Sequence, residues 1–195
     1  MNSPKPLLII FIKNPEKGKV KTRLAKEVGD ERALEIYKQL LDHTHAITTD
    51  LPIEKYVYYS SKIDAEDQWD LGGYQKSIQA GKDLGDKMCN AFQAGFDKDH
   101  HPICIIGSDC FEINETIIAE AFEKLKSYDY VIGPAKDGGY YLLGMREYSP
   151  QLFTNKTYST SKVCAEAIAE IKLMSKTCFL LPKLSDIDTL KDLNP

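Results

Sequence analysis

Residues 7 to 12 read Leu-Leu-Ile-Ile-Phe-Ile, six apolar side chains with no polar alternation. A strand wetted on one face alternates with period two, so an unbroken run is the pattern of a strand buried on both faces. Helices on both sides of a sheet provide that cover. The segment after the run is equally marked: Lys13, Lys17, Lys19, Lys21 and Arg23 crowd around Pro15 and Gly18 within eleven residues.

The rest of the chain repeats the alternation of strand and helix. Ala33, Ile36, Tyr37, Leu40, Leu41, Thr44 and Ile47 have helical spacing from Glu31 onward, with Gly29-Asp30 as break and cap. Strands are expected at 55–60, 77–80, 101–106, 130–133, 140–144 and 178–181. Helices are expected at 84–96, after the Asn114 cap, and at 159–174. Residues 61–76 read as a loop with a short helix near Trp69, and the closing stretch as a loop into a helical turn. These features predict an α/β fold, one domain over 1–195, with an open, mostly parallel sheet flanked by helices.

Ligands of such sheets bind beyond the carboxyl ends of the strands, and four stretches fall there. In the first, Gly18 lets backbone amides approach an anion while Lys13, Lys17, Lys19, Lys21 and Arg23, with Thr22 between the last two, can add charge-assisted bonds to phosphate oxygens. Neither the Walker spacing nor G-x-G-x-x-G is present, and a solvated basic turn would read the same way. In the second, Gly107-Ser108-Asp109-Cys110, a carboxylate after a buried strand suits Mg²⁺ or Mn²⁺, although Asp also caps helices. Cys110 has no histidine nearby in sequence and reads as structural. In the third, Asp137-Gly138-Gly139 is either an ordinary hairpin turn or a close approach to a ligand, with Asp137 placed to accept a proton. In the fourth, Asp186 and Asp188 would point the same way on an extended segment and could grip a cation, or Asp188 and Thr189 could cap a last helix. His43, His45, His100 and His101 read as structural or exposed.

A net charge of -4 excludes a general nucleic-acid or membrane-surface binder, so a bound anion should be small and held locally. Five cysteines without a C-x-x-C pair fit reduced thiols and a cytoplasmic protein. The opening apolar run is too short for a signal peptide or a membrane span.

Five motifs together resemble one family. They are K-x-P-x-x-G-x-x-K-T-R-L (13–24), Q-x-G-x-D-L-G-x-K-M (79–88), G-S-D-C (107–110), G-P-A-x-D-G-G-Y-Y-L-L-G (133–144) and D-I-D-T-x-x-D-L (186–193). The family is that of the bacterial glycosyltransferase-like proteins associated with radical-SAM and selenocysteine-containing domains. It is similar to the nucleotide-diphospho-sugar transferases of the Rossmann-like GT-A fold, which also holds cytidylyltransferases and guanylyltransferases. Phe111 stands where that family has proline.

The resemblance implies that Lys13, Gly18, Lys21, Thr22 and Arg23 hold a nucleotide's phosphates, and that Asp109 and Asp188 hold Mg²⁺ or Mn²⁺. It further implies that Asp137, Gly138 and Gly139 face the sugar or a small-molecule acceptor. Three functions are therefore expected as alternatives. One is a metal-dependent glycosyltransferase with a nucleotide-sugar donor, in which Asp137 is the base and Lys21 and Arg23 stabilise the leaving phosphates. Another is a nucleotidyltransferase joining a nucleoside triphosphate to a phosphorylated small molecule. The third is a non-catalytic nucleotide-binding scaffold.

Overall fold

The computed structural model describes residues 5–154, 156–158 and 160–193. Seven strands form one sheet: β1 (Lys5–Ile12), β2 (Glu54–Tyr59), β3 (Tyr74–Ile78), β4 (His100–Ile106), β5 (Tyr130–Pro134), β6 (Tyr140–Met145) and β7 (Cys178–Leu180). Their order across the sheet is β3-β2-β1-β4-β6-β5-β7. β1 lies between β2 and β4 and pairs with both in parallel, while β6 runs antiparallel to β4 and β5. The expected mostly parallel α/β sheet is what forms, with one strand reversed.

The helices are α1 (Thr22–Val28), α2 (Asp30–Thr48), α3 (Leu84–Phe96), α4 (Glu115–Lys124) and α5 (Val163–Leu173). The pleat divides the core in two. Leu8, Ile10 and Ile12 of β1 pack in one cluster with Leu24 of α1, Tyr37 and Leu40 of α2 and Ile118 of α4. Leu7, Ile9 and Phe11 pack in the other with Met88 and Phe92 of α3 and Ile171 of α5. β1 therefore has helices over both faces, which is why it carries no polar residue between Leu7 and Ile12.

Three elements differ from their sequence expectation. α1 starts inside the basic stretch, where the sequence predicts a loop; of its apolar residues only Leu24 is fully buried, with Ala25 and Val28 partly so, and two turns are too short to show a periodic stripe. Gly29, at φ 83°, then separates α1 from α2. β3 lies at Tyr74–Ile78 instead of 77–80, because an edge strand half open to water has a weak apolar pattern. α5 begins at Val163, after a turn at Ser161-Lys162; Ser159, the expected first residue, lies outside the described residues.

Candidate active site

The carboxyl ends of β1 and β4, the start of β6 and the segment after β7 surround a cavity of about 580 Å³. Its position comes from the topology, since parallel strands present their carboxyl ends on one side of the sheet.

Tyr37 of α2 fixes two of these strand ends relative to each other. Its hydroxyl accepts a 2.7 Å hydrogen bond from the Lys13 amide and lies 3.1 Å from both the Lys13 carbonyl and Ser108 Oγ. Burial, with the charge of Asp109 added, raises the phenol above its ordinary range. It stays neutral and serves as a hydrogen-bonding post. Asn14, only 5% exposed, anchors the start of the basic loop to the turn after β2. Its side-chain amide donates to the Lys62 carbonyl at 2.8 Å, and its Oδ1 accepts from the Ser61 amide at 3.0 Å and the Ser61 hydroxyl at 2.8 Å.

Lys21 occupies the centre of the charged end. Its side chain is 5% exposed, and Nζ lies 2.6 Å from Asp109 Oδ1 and 3.8 Å from Asp188 Oδ1. The residue caps α1 in a left-handed conformation, φ 46° and ψ 43°. A lysine in that region is strained by about 1 kcal/mol and stays there only where its surroundings demand it. Arg23, two residues on and largely exposed, reaches Asp188 Oδ2 at 3.5 Å.

The carboxylates come from three parts of the chain. Asp109 follows β4, and the Ile187 amide donates to its carbonyl at 2.8 Å, which draws Asp186 and Asp188 to the same place. Asp137 sits in the turn between β5 and β6, where one oxygen accepts the Gly139 amide at 2.8 Å. That turn is the hairpin its sequence suggested, and it also lines the cavity. Burial first, then the charges of Asp109 and Asp137, raise the Asp186 carboxyl to about 7. Cys110 is buried and its thiol is pushed up to about 11, chiefly by that burial, so it is no thiolate nucleophile near neutral pH.

Carboxylate oxygens are the right donors for a hard divalent cation, and two of them already share one cation here, the Lys21 ammonium. Among the described residues, no three His, Cys, Asp or Glu side chains stand at metal-ligand spacing. The donor chemistry fits Mg²⁺ or Mn²⁺, with Lys21 in the midst of the carboxylates.

The residues singled out from sequence divide clearly. Lys13, Lys21, Thr22, Arg23, Asp109, Asp137, Gly139 and Asp188 all line the cavity. Gly18 and Gly138 are not in its wall: Gly18 shapes the basic loop at φ 76°, and Gly138 packs under Ser161, whose carbonyl oxygen would lie 2.1 Å from an added Cβ. Lys17 and Lys19 turn to Glu31 and Glu16 on the surface. Tyr37 had no sequence signal beyond core periodicity, Ser108 only its place in G-S-D-C, and the burial of Asp186 only a D-x-D spacing. Gln79, inside the second motif, also lines the cavity and donates both amide hydrogens to the Ile12 and Tyr58 carbonyls at 2.9 Å.

Residues 43–160 match a protein family described as "Uncharacterized protein conserved in bacteria (DUF2064)". The chain belongs to that family. A crystal structure from Desulfovibrio desulfuricans G20, of a protein provisionally described as a nucleotide-diphospho-sugar transferase, is similar over 98% of this chain and 85% of that one. It has 30% identity and a TM-score of 0.90. At 9% identity and a TM-score of 0.60, the fold is also that of a 4-diphosphocytidyl-2C-methyl-D-erythritol synthase from Anaerococcus prevotii DSM 20548, over 98% and 96% of the two chains. An inositol-1-phosphate CTP transferase from T. maritima shares it too, at 11% identity and a TM-score of 0.54 over 99% and 93%. No curated protein matches the chain in sequence.

Proposed function

We propose that this protein is a metal-dependent transferase that binds a nucleotide by its phosphates, and that it moves a sugar from a nucleotide-sugar donor to a small-molecule acceptor. The observation that carries the reading is Lys21, a buried cation held between Asp109 and Asp188 at the carboxyl ends of the strands. Lys13, Lys21, Thr22 and Arg23 supply donors for phosphate oxygens, and Asp109 and Asp188 supply oxygens for Mg²⁺ or Mn²⁺. Such an ion would neutralise charge on the diphosphate. Asp137 would take the proton of the acceptor hydroxyl as its oxygen bonds to the sugar's anomeric carbon. The bond from that carbon to the diphosphate breaks, and Lys21 and Arg23 stabilise the departing nucleoside diphosphate. Gly139 faces the sugar or the acceptor from the same turn, with Gly138 holding that turn against Ser161.

The fold shared with an inositol-1-phosphate CTP transferase supports a second reading on the same residues. A substrate phosphate oxygen would attack the α-phosphorus of a nucleoside triphosphate, and pyrophosphate would leave. Thermal shift with nucleotide sugars and nucleoside triphosphates, each with and without Mg²⁺ or Mn²⁺, separates the two. A ligand at about 100 times its Kd adds roughly 2.7 kcal/mol, on the order of 5 to 10 °C for a chain of this size. Selective stabilisation by a nucleotide sugar, followed by release of nucleoside diphosphate, supports glycosyl transfer. Preference for a triphosphate and release of pyrophosphate supports nucleotidyl transfer. If no nucleotide raises the melting temperature in either metal, both readings fail.

A further inference from the structure

A lysine with 5% of its side chain exposed, paired at 2.6 Å with Asp109 and reached also by Asp188, is a committed internal counter-ion. Basic residues that wait for an anion are ordinarily solvated. Lys17 and Lys19 on the same loop are also ion-paired, with Glu31 and Glu16, but each keeps more than half of its side chain in water. Lys21 instead adopts a strained backbone to place its ammonium among carboxylates supplied by the loop after β4 and by the segment after β7. Its charge does there what a cation from solution would do.

We infer that Lys21 is a built-in competitor for the divalent cation, closing the Asp109–Asp188 pair to free metal until nucleotide phosphates draw the ammonium away. The inference rests on the metal-and-phosphate reading of the site and adds an order to it. Free Mg²⁺ or Mn²⁺ binds the resting protein weakly, and metal and polyphosphate enter together. The charge balance supports this order. With Lys21 in place, the added cation meets a positive charge a few ångströms away, and even after the flexible ammonium swings partly aside the remaining repulsion is expected to cost about tenfold in affinity. Once a polyphosphate offers Lys21 other oxygens, Asp109 and Asp188 lose their partner and regain affinity for a hard cation. Arg23, beside Asp188 yet 69% exposed, is too well hydrated to take over the role.

The test is Mn²⁺ binding without nucleotide, monitored by the loss of the free Mn²⁺ electron paramagnetic resonance signal in wild type, Lys21→Met and Lys21→Met/Asp188→Asn. Lys21→Met should bind Mn²⁺ about tenfold more tightly than wild type, and Asp188→Asn should abolish that gain. A gain of less than about threefold, or one that survives Asp188→Asn, overturns the inference. Should Lys21→Met fail to fold, wild-type protein labelled with ¹⁵N-lysine decides. The Lys21 ammonium resonance should be unmoved by Mg²⁺ alone and displaced by Mg²⁺ with a nucleoside triphosphate or a nucleotide sugar. Displacement by Mg²⁺ alone refutes the competition. The thermal-shift panel measures nucleotide binding separately: a Mn²⁺ gain in Lys21→Met without any nucleotide effect removes the proposed function and keeps the competition. Nucleotide binding with no Mn²⁺ gain does the reverse.

Discussion

Asn14 is the position at which the basic loop can be loosened without touching any residue proposed to meet a ligand. Replacement by alanine removes the donated bond to the Lys62 carbonyl and the two short bonds from Ser61, and exposes no new charge. Each such bond contributes about 0.5–1.5 kcal/mol net. Because Ser61 and Lys62 are exposed and water can replace part of the loss, about 2 kcal/mol is expected. For a chain of this size that lowers the melting temperature by about 4–8 °C. Asn14→Asp offers a control worked from the same contacts: its carboxylate still accepts from Ser61 but faces the Lys62 carbonyl without a proton to donate. The order of melting temperatures should therefore be wild type, Asn14→Asp, Asn14→Ala, read by circular dichroism or dye-binding melts. Affinity for nucleotide should fall alongside, since Lys13 and the path to Lys21 lose their anchor. A drop of less than about 2 °C for Asn14→Ala would show that the loop is held by other contacts, and the reasoning would be wrong.

Gly138→Ala places a Cβ 2.1 Å from the Ser161 carbonyl at a φ of 95°, so a loss of about 2–4 kcal/mol is expected in chemical denaturation. Tyr37→Phe keeps the ring and removes the hydroxyl that Lys13 and Ser108 share. About 1–3 kcal/mol of stability should go, together with nucleotide binding in the thermal-shift panel. Asp186 gives a pH signature, because its carboxyl is raised to about 7 by burial and by Asp109 and Asp137. The folded chain holds a proton there that the unfolded chain has released, so this contribution is full below the ordinary carboxylate range and is lost as pH rises through 7. In metal-free buffer, the melting temperature of Asp186→Asn should gain on wild type from about pH 4 to about pH 7 and then hold level. A gap that does not change with pH would place the raised carboxyl elsewhere. Asp109→Asn should abolish the part of nucleotide stabilisation that depends on Mg²⁺, measured by the same thermal shift.

The alternation of buried runs and helical stripes made the sheet legible, because β1, α2, α3 and β4 are each buried enough to carry their period in the sequence. α1 was not, since its single buried Leu24 could not announce a helix within a lysine-rich loop. The reversed β6 was visible only as a tight turn at Asp137-Gly138-Gly139; the insertion of that strand between β4 and β5 is a matter of pairing across the sheet. In the site, position after a strand end and D-x-D spacing pointed to Asp109 and Asp188, and both stand in the cavity wall. Which lysines face inward was beyond it. Lys17 and Lys19 differ from Lys21 through Glu31, Glu16 and the carboxylates beyond β4, partners set by tertiary structure alone. Gly18 and Gly138 lie outside the cavity wall, and their positive φ and, for Gly138, the close Ser161 backbone are features of turn geometry that a sequence does not separate from a ligand contact.

The charged end of the cavity joins Arg23 to Asp188 across 165 positions of sequence, and the Ile187 amide ties that late segment back to Asp109. No local fragment contains both halves, so the binding surface exists only in molecules whose whole sheet has formed. A bound ligand should then be felt by global unfolding and not by local opening. The slowest-exchanging amides of β1 and β4 should be protected about 100-fold more at about 100 times Kd. Protease resistance on ligand binding should likewise rise along the entire chain at once, which makes occupancy of the site a direct count of fully folded molecules.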